Sequence, residues 1–252
     1  MTNDERAWWS PEVLAERERE VRSGTGEDAD DVRNDFASYR ALLGGRDVNA
    51  SGLHLHNEVE PWRVDTVCRN YQTIVRRVLG KAPRSVADLG CGAGFTSDGM
   101  HRRWPNATVR GFDVSHDAVQ FARHRWKGCG FVEGAIVPGT KLEGAPYDFI
   151  LCQEFYPFTR TDGVESHREW MRLLVDNLNL DGVAIIMVTA LTAESINRTY
   201  EQLRSEFRLQ RIRIGAPRIS RRLSFWSARL AGELLSGVKP TWVRNLYVLQ
   251  RQ

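Results

Sequence analysis

The chain has 252 residues, with 35 lysines and arginines against 32 aspartates and glutamates, so its formal net charge at pH 7 is +3. This length is sufficient for one large α/β domain with its own core, and so small a net charge argues against a protein that binds polyanions over its whole surface. No apolar run reaches the length of a membrane span and no secretory leader pattern follows the polar first residues, so we expect a cytoplasmic protein without a membrane segment.

Two helices are predicted in the first part of the chain. Residues 11–22 follow a serine cap with a proline in the first turn, and residues 31–43 end at two glycines. Two short helices cannot enclose a core by themselves. We therefore expect residues 1–52 to form a helical lid on a domain that comprises residues 53–252.

The segment after the lid places His54, His56 and Glu58 on one face if it is extended, because side chains alternate along a strand. Such a set is consistent with a metal site, with a base and its orienting partner, or with packing inside the lid. A metal site needs a further ligand, and the four cysteines are far apart and contain no C-x-x-C pair. We predict no metal, and we retain the two histidines as candidate proton acceptors.

A glycine-rich loop follows a predicted amphipathic helix over residues 61–79. Residues 86–97 read VADLGCGAGFTS. A buried strand, a loop with three glycines and a helix that begins near Phe95 predict a cradle in which backbone N–H groups face a small ligand. The alternative interpretation of this loop is an ordinary tight turn.

The glycine spacing argues against two common nucleotide loops. A dinucleotide fingerprint is G-x-G-x-x-G, and Phe95 occupies the position of its third glycine here. The G-K-[ST] sequence of a phosphate-binding loop is also missing. Asp88 precedes the first glycine, where a carboxylate favours a cation over a pyrophosphate.

A second acidic residue ends the next predicted strand, residues 108–113. Asp113 lies at the distance from the loop at which an acid binds ribose hydroxyls in nucleotide-type sites. Ser115 has the position of a helix cap before the next amphipathic segment. A turn residue that only caps this helix is the alternative role for Asp113.

Strands and helices continue to alternate along the rest of the chain, which predicts a parallel, doubly wound sheet. The third and fourth strands are predicted at residues 128–133 and 146–155. A turn at residues 178–182 leads into a fifth strand. The last two strands are predicted at residues 207–214 and 243–250, and the connection over residues 215–241 is long enough to be a functional element.

Four of these segments together resemble the class I S-adenosylmethionine-dependent methyltransferases: D-x-G-x-G-x-G after a strand, an acid at the tip of the second strand, a fourth strand that begins Tyr-Asp, and LNLDG before the fifth strand. The resemblance implies a Rossmann-like, seven-stranded, mostly parallel sheet whose last strand is antiparallel. It also implies that S-adenosylmethionine is the cofactor. The cofactor contacts that it implies are Asp88, Gly90, Cys91, Gly92, Gly94, Asp113, Val114, Gly134, Ala135 and Gln153.

The end of the fourth strand indicates the type of methyltransferase. The N-P-P-[YF] motif of amine and base methyltransferases is absent. Cys152, Gln153 and Glu154 partly match the C-S-E run of ubiquinone-type and natural-product O-methyltransferases, but Phe158 stands where that run has a histidine. The candidate bases are therefore Glu154, His54 and His56, and a role for Glu154 in positioning other groups is the alternative.

We expect methyl transfer to a hydroxyl of a small molecule, most simply a sugar, glycan or natural product. The candidate acceptor contacts are Tyr156, Phe158, Arg221 and Arg222, and a solvated surface is the alternative for the two arginines. Residues 204–251 contain eleven basic residues and only two acidic ones, which leaves an RNA methyltransferase as a second interpretation. A catalytically silent cofactor-binding scaffold is the third. Nothing in the sequence predicts the oligomeric state.

Overall fold

Strands and helices alternate along the part of the chain that the computed structural model describes, which is residues 61–160, 163–189 and 193–251. The strands are β1 (Ser85–Leu89), β2 (Thr108–Asp113), β3 (Gly130–Glu133), β4 (Tyr147–Gln153), β5 (Leu178–Thr189), β6 (Arg208–Gly215) and β7 (Val243–Gln250). The helices are α1 (Pro61–Leu79), α2 (Phe95–Arg103), α3 (His116–Arg125), α4 (Tyr156–Arg160), α5 (Val164–Asp176), α6 (Ala193–Leu203), α7 (Pro217–Ser220) and α8 (Phe225–Leu235), with a 3₁₀ turn at Pro240–Trp242. The predicted lid, residues 1–52, lies outside the described residues, as do His54 and His56.

The strands form one sheet in the order β3-β2-β1-β4-β5-β7-β6. The pairs from β3 to β5 are parallel, and β7 runs antiparallel to both β5 and β6. This order confirms the predicted Rossmann-like sheet with an antiparallel last strand. Because β1, β2, β3 and β4 are parallel, their carboxyl ends meet at one edge, where ligands bind in open α/β sheets.

The sheet is covered on both faces, so its central strands are apolar on both sides. In β4, Phe149 and Leu151 face a cluster built with α1, α2 and α8, whereas Ile150 and Cys152 face a cluster built with α4, α5 and α6. All four side chains are fully buried. The four cysteines are free thiols, and three of them are buried.

Helix α1 packs through one face because its apolar residues recur at helical spacing. Val64, Cys68, Tyr71 and Val75 are buried on that face, and the helix has the bounds that the sequence pattern predicts. Two of its buried residues, Asn70 and Tyr71, lie beside the sheet edge at which the site forms.

The segment before the core of β5 differs from the sequence prediction. We expected a turn over residues 178–182, but the strand is continuous, with a register irregularity between the pairs Tyr147–Leu178 and Phe149–Val183. A Cβ at Gly182 would meet the Tyr147 backbone oxygen at 2.9 Å. Glycine therefore lets β5 stay against β4 where the extra residues are accommodated.

The connection between β6 and β7 carries α7 and α8. Helix α8 packs on β6 through the small residues Ala228 and Gly232, so it covers the sheet face. No helix among the described residues has the length and apolar character that a membrane span needs.

The close approach of α8 to β6 gives a stability prediction. A Cβ at Gly232 would lie 2.6 Å from the backbone Cα of Ile214, and backbone cannot move aside as a side chain can. We expect Gly232→Ala to lower the free energy of unfolding by about 1–3 kcal/mol, despite the better helix propensity of alanine. Gly237→Ala is the control, because a Cβ there meets nothing within 4 Å, and we expect a change within about 0.5 kcal/mol. Urea unfolding measures both, and equal stability of the two variants would contradict the packing described.

Candidate active site at the carboxyl edge of the sheet

The glycine-rich loop joins β1 to α2 in a conformation that needs glycine. Gly90, Gly92 and Gly94 have φ values of 71°, 52° and 78°, which residues with a Cβ rarely adopt. The backbone N–H groups of Gly90 and Cys91 both donate to the carbonyl of Phe112, at 2.8 and 3.1 Å. These bonds fix the loop to the end of β2, so the predicted tight cradle is formed by backbone.

Asp113 at the tip of β2 fastens the same loop. Its Oδ2 accepts from the backbone N–H of Gly92 at 2.8 Å, and its Oδ1 accepts from that of Ser115 at 2.8 Å. Burial raises the pKa of Asp113 above its usual value, while the N–H donors of Ser115, Gly92 and Val114 oppose that rise. Each oxygen retains a second lone pair, so the carboxylate can hold the loop and accept a hydroxyl of a ligand at the same time.

Asp88 lies beneath the loop and is almost completely buried. Its Oδ2 accepts a hydrogen bond of 2.7 Å from the hydroxyl of Ser97 on α2. Burial raises the pKa of Asp88 to about 7, the Ser97 hydroxyl opposes that rise, and the charge of Asp113 adds to it. A positive ligand beside Asp88 would favour its ionised form.

A cleft opens beside the loop with an empty volume of about 270 Å³. Gln153 at the end of β4 lies in its wall, and its Oε1 accepts a hydrogen bond of 2.9 Å from the phenol of Tyr71. The cleft is lined by Asp88, Gly90, Cys91, Phe95, Thr96 and Gln153. Four of these six residues are among the cofactor contacts expected from the sequence.

The remaining predicted cofactor residues lie next to Asp113. The backbone N–H of Gly134, which follows β3, donates to the Asp113 carbonyl at 3.0 Å. A Cβ at Gly134 would meet nothing within 4 Å, so there is open space beside it. Val114 and Ala135 are half-buried at the same edge. Their contact with a cofactor stays a prediction.

A second pocket adjoins the cleft across Tyr71, on the side of β5 and β7. It also has an empty volume of about 270 Å³. Its lining is mostly apolar and comprises Val67, Asn70, Tyr71, Met187, Ile214, Gly215, Pro217, Arg244 and Leu246. Because Tyr71 lines this pocket and also bonds to Gln153 in the cleft, the two cavities share a wall.

Glu154 occupies the point where β4 ends. Its φ of 51° is the only positive value for a residue other than glycine in the described part of the chain, and such strain is concentrated at functional sites. Its backbone N–H donates to the Met187 carbonyl at 2.9 Å, and its Oε1 is buried. Glu154 also acts electrostatically on Tyr71, which places its charge near both cavities.

Three of the predicted acceptor contacts do not face either cavity. Phe158 is fully buried against Phe155 and His167 in the core beside α5, so its ring supports the cleft from behind and does not reach a ligand. Arg221 is exposed and stacks on Trp62 at 4.8 Å, and Arg222 is exposed. Only the backbone of Tyr156 is described, at the start of α4, so its contact with the acceptor stays a prediction.

The structure adds two polar residues that sequence reasoning missed, Asn70 and Arg244. Arg244 is the second residue of β7 and pairs in register with Thr189, the last residue of β5. Because β7 is antiparallel, its beginning lies at the edge where β5 ends. An antiparallel last strand therefore marks its first residues as candidates for the site. Within the described residues, no group of three or more His, Cys, Asp or Glu is arranged to hold a metal.

Comparison with known proteins supports the cofactor assignment. Residues 86–177, which include the glycine-rich loop, Asp113 and Gln153, match the family model described as a methyltransferase domain. These residues carry a class I S-adenosylmethionine-dependent methyltransferase domain. The sequence resemblance to this family is thereby confirmed, and S-adenosylmethionine is the cofactor of the domain.

Curated relatives of the methyltransferase domain include trans-aconitate 2-methyltransferases. That of Rhodopseudomonas palustris (strain BisB18) is 34% identical over 106 residues, which are 42% of this chain and 39% of the relative. That of strain BisA53 is 44% identical over 124 residues, which are 49% of this chain and 46% of the relative. The match thus spans less than half the length of these relatives.

Solved structures share the fold over nearly the whole chain. The plantazolicin methyltransferase BpumL, in complex with S-adenosylhomocysteine and a monoazolic desmethyl plantazolicin analogue, has a TM-score of 0.58 and 13% sequence identity. The match covers 95% of this chain and 99% of that one. At this identity the likeness shows the fold alone.

The residues of the methyltransferase domain fit S-adenosylmethionine on their own chemistry. Asp113 offers acceptor lone pairs for ribose hydroxyls at the edge of β2, and the open space beside Gly134 adjoins it. Asp88 places a carboxylate in the wall of the cleft, where positive charge is favoured. Contact of the ribose with Asp113, and of the amino acid end of the cofactor with the loop of Gly90 and Gly92, Asp88 and Gln153, stays a prediction.

Proposed function

We propose that this methyltransferase domain transfers the methyl group of S-adenosylmethionine to an oxygen atom of a small-molecule acceptor. The observation that carries the proposal is the wall that the cleft and the second pocket share, Tyr71 with its hydrogen bond to Gln153. Two adjoining cavities at the carboxyl edge of the sheet suit a donor and an acceptor that must meet in line.

The lining of the second pocket favours a small acceptor. The pocket is lined by residues of α1, β5, β6 and β7, and concave, mostly apolar sites of this kind suit small ligands. Val67, Met187 and Leu246 supply apolar surface that excludes water, and the polar groups are few. A polymer groove would be open and lined with cations instead.

The curated relatives favour oxygen as the methylated atom. Trans-aconitate, which their name gives as the substrate, has carboxylates as its nucleophilic groups. A carboxylate is ionised at neutral pH and has no proton to lose. An acceptor of this kind would explain why this chain has Phe158, buried in the core, where related O-methyltransferases have a histidine base. A hydroxyl of a sugar, glycan or natural product is our second candidate acceptor, and its proton would then go to Glu154 at the end of β4.

In the proposed reaction, the residues of the domain hold the donor and the acceptor in line and supply charge near the donor. S-adenosylmethionine supplies an electrophilic methyl group on a positively charged sulfur. The loop of Gly90 and Gly92, tied to Phe112 and Asp113, holds the donor side rigid. Tyr71 fixes Gln153 and forms the surface against which the acceptor rests. Proximity and orientation of this kind can supply several kcal/mol of the barrier reduction.

The basic C-terminal part of the chain gives little support to an RNA substrate. Arg211 bonds to Asn197, Arg213 pairs with Glu233 at 2.9 Å, and Arg221 stacks on Trp62. These cations are engaged within the protein and are spread over separate elements. Nucleic acid methylation therefore enters the test below as an alternative outcome, together with a catalytically silent cofactor-binding scaffold.

Transfer of a labelled methyl group tests the proposal. The purified protein is incubated with methyl-labelled S-adenosylmethionine and, in separate reactions, trans-aconitate, a monosaccharide, a phenol and total RNA. We expect label on an oxygen of a small molecule, and none with an Asp113→Ala variant that cannot hold the donor. Label found only in nuclease-sensitive material would contradict the proposal and identify an RNA methyltransferase. Tight cofactor binding with no transfer to any acceptor would indicate the silent scaffold.

The role of Glu154 is tested by its dependence on the acceptor. We expect Glu154→Gln to slow single turnover by about 10²–10⁴-fold with a hydroxyl acceptor, because the variant cannot take the proton. With a carboxylate acceptor the rate should stay within about threefold. Glu169→Gln, an exposed change on α5, is the control. His54→Ala and His56→Ala are measured in the same way. A loss of rate confined to one of them would identify that histidine, and not Glu154, as the base.

A further inference from the structure

The second pocket contains one cation, Arg244, whose charge has no partner within the described residues. No hydrogen bond or ion pair of its side chain occurs there, although Arg213 on the neighbouring strand β6 is paired with Glu233. Arg244 is only half-buried, and the rest of the pocket is mostly apolar. An arginine in such a setting is poised for an anion, since its planar fork pairs with a carboxylate through two parallel hydrogen bonds.

Asn70 lines the same pocket and has a buried oxygen that lacks a hydrogen-bond partner in the described structure. Its side chain is 6% exposed, and its Oδ1 is shielded from solvent. A buried polar atom without a partner costs on the order of 1–3 kcal/mol, so a native protein retains it where it serves another purpose. Asn70 lines the pocket together with Arg244, and the Nδ2–H groups of its amide can donate to a carboxylate there, while the unpartnered Oδ1 can accept from a hydroxyl or a protonated acid.

The charges around Tyr71 connect this pocket to the reaction centre. Burial is the main cause that raises the pKa of Tyr71 well above its usual value. Among the charged residues near it, Asp88 and Glu154 raise this pKa further and Arg244 lowers it. Tyr71 therefore lies within the electrostatic influence of acids at the ends of β1 and β4 and of a cation at the start of β7. A ligand that extends from the cleft past Tyr71 would pass from Asp88 in the wall of the cleft to Arg244 in the wall of the second pocket.

We propose that Arg244 and Asn70 form an anion subsite that holds a carboxylate of the acceptor other than the oxygen that is methylated. A carboxylate paired with arginine is a weakened nucleophile, because the cation withdraws its charge. The group that receives the methyl therefore lies on the other side of Tyr71, near Gln153. The acceptor is then a small molecule with an apolar body, one acidic anchor and a second oxygen nucleophile. This inference rests on the proposed function of the domain.

Binding to the complex with S-adenosylhomocysteine tests the subsite without turnover. The probes are trans-aconitate and succinate, each compared by calorimetry with its fully amidated counterpart. We expect the acids to bind and the amides not to bind. Arg244→Met should weaken binding of the acids by about 10- to 100-fold, and Arg244→Lys should have an intermediate effect because the charge remains and the fork is lost. Arg208→Met is the control, because Arg208 is exposed on β6 at the opposite end of the β6–β7 pairing.

A substitution of Asn70 distinguishes a role in binding from a purely structural role, because the two roles predict opposite effects on melting temperature and acid binding. Asn70→Leu removes the unpartnered oxygen at similar size, so we expect the melting temperature to rise or stay equal while acid binding falls by about fivefold. A lower melting temperature with unchanged acid binding would make Asn70 structural.

The failure of this inference can be distinguished from the failure of the proposed function. Absence of acid binding, or equal binding by Arg244→Met and wild type, overturns the anion subsite. Methyl transfer to a neutral acceptor, at a rate that Arg244→Met does not change, also overturns the anion subsite. That result leaves the proposed function intact. Acid binding that depends on Arg244, with no methyl transfer to any acceptor, supports the subsite and overturns the proposed function.

Discussion

Replacing Asp113 with alanine is expected to weaken S-adenosylmethionine binding by at least about 100-fold, or roughly 3 kcal/mol. Two effects add. The variant loses an acceptor for ribose hydroxyls, and it also loses the bonds that the carboxylate receives from the backbone of Gly92 and Ser115. The glycine loop is then no longer tied to β2 through this side chain. Isothermal titration with S-adenosylmethionine measures the change.

Two further variants show which effect dominates. Asp113→Asn keeps the shape and one acceptor oxygen, and we expect it to lose about tenfold in affinity. Asp98→Ala removes an acid from α2 that pairs with Arg102 and should bind as the wild type does. If Asp113→Ala retained wild-type affinity, the ribose assignment would be wrong and the residue would only cap the turn before α3.

The second large effect is a dependence of stability on pH that originates in Asp88. The pKa of this buried carboxyl is raised to about 7, from an ordinary value of 3.8. The folded protein therefore holds the proton more tightly than the unfolded chain does. The stability that this proton contributes is fully present below about pH 4 and is lost as the pH rises through 7. At about 1.4 kcal/mol for each pKa unit, the loss amounts to up to about 4 kcal/mol.

Urea unfolding between pH 5 and 8 measures this contribution as a difference between variants. Asp88→Asn cannot ionise, so its unfolding free energy should fall less across this range than that of the wild type. Ser97→Ala removes the hydroxyl that lowers the pKa of Asp88. The unfolding free energy of this variant should therefore continue to fall to a higher pH than that of the wild type. Parallel curves for wild type and Asp88→Asn would show that the buried carboxyl titrates near its ordinary value.

The same carboxyl links cofactor binding to pH. A positive ligand in the cleft favours ionised Asp88, so we expect S-adenosylmethionine binding near pH 6 to release a fraction of a proton. Titrations in buffers that differ in ionisation enthalpy detect that release, and the Asp88→Asn variant should show none from this group.

The features that were predicted well from the sequence are formed by residues that are close together in the chain. The glycine loop and Asp113 lie within thirty residues of each other, so their spacing alone indicates a cofactor site. Helix α1 was predicted with the observed bounds because its apolar face is set by helical periodicity. The antiparallel last strand followed from the resemblance to a family and had no local signal.

The features that the sequence missed depend on tertiary position. Arg221 and Arg222 were candidate acceptor contacts with a solvated surface as the alternative, and both are exposed. The isolated Arg244 reaches the pocket instead, because β7 is antiparallel. Asn70 looked like one more polar residue on an amphipathic helix. Phe158 follows the cleft strand closely in sequence, and only the packing of α4 against α5 shows that its ring is inside the core.

The position of β7 also constrains how the protein can be synthesised. Strand β7 lies between β5 and β6 in the sheet, although it is translated after both of them. Until residues 243–250 have left the ribosome, the apolar edge of β5 has no neighbour and β6 has no strand to pair with. An unpaired edge of this kind readily joins another chain. The nascent protein therefore depends on prompt completion of its last strand, and a ribosome that stalls after β6 would expose an aggregation-prone intermediate.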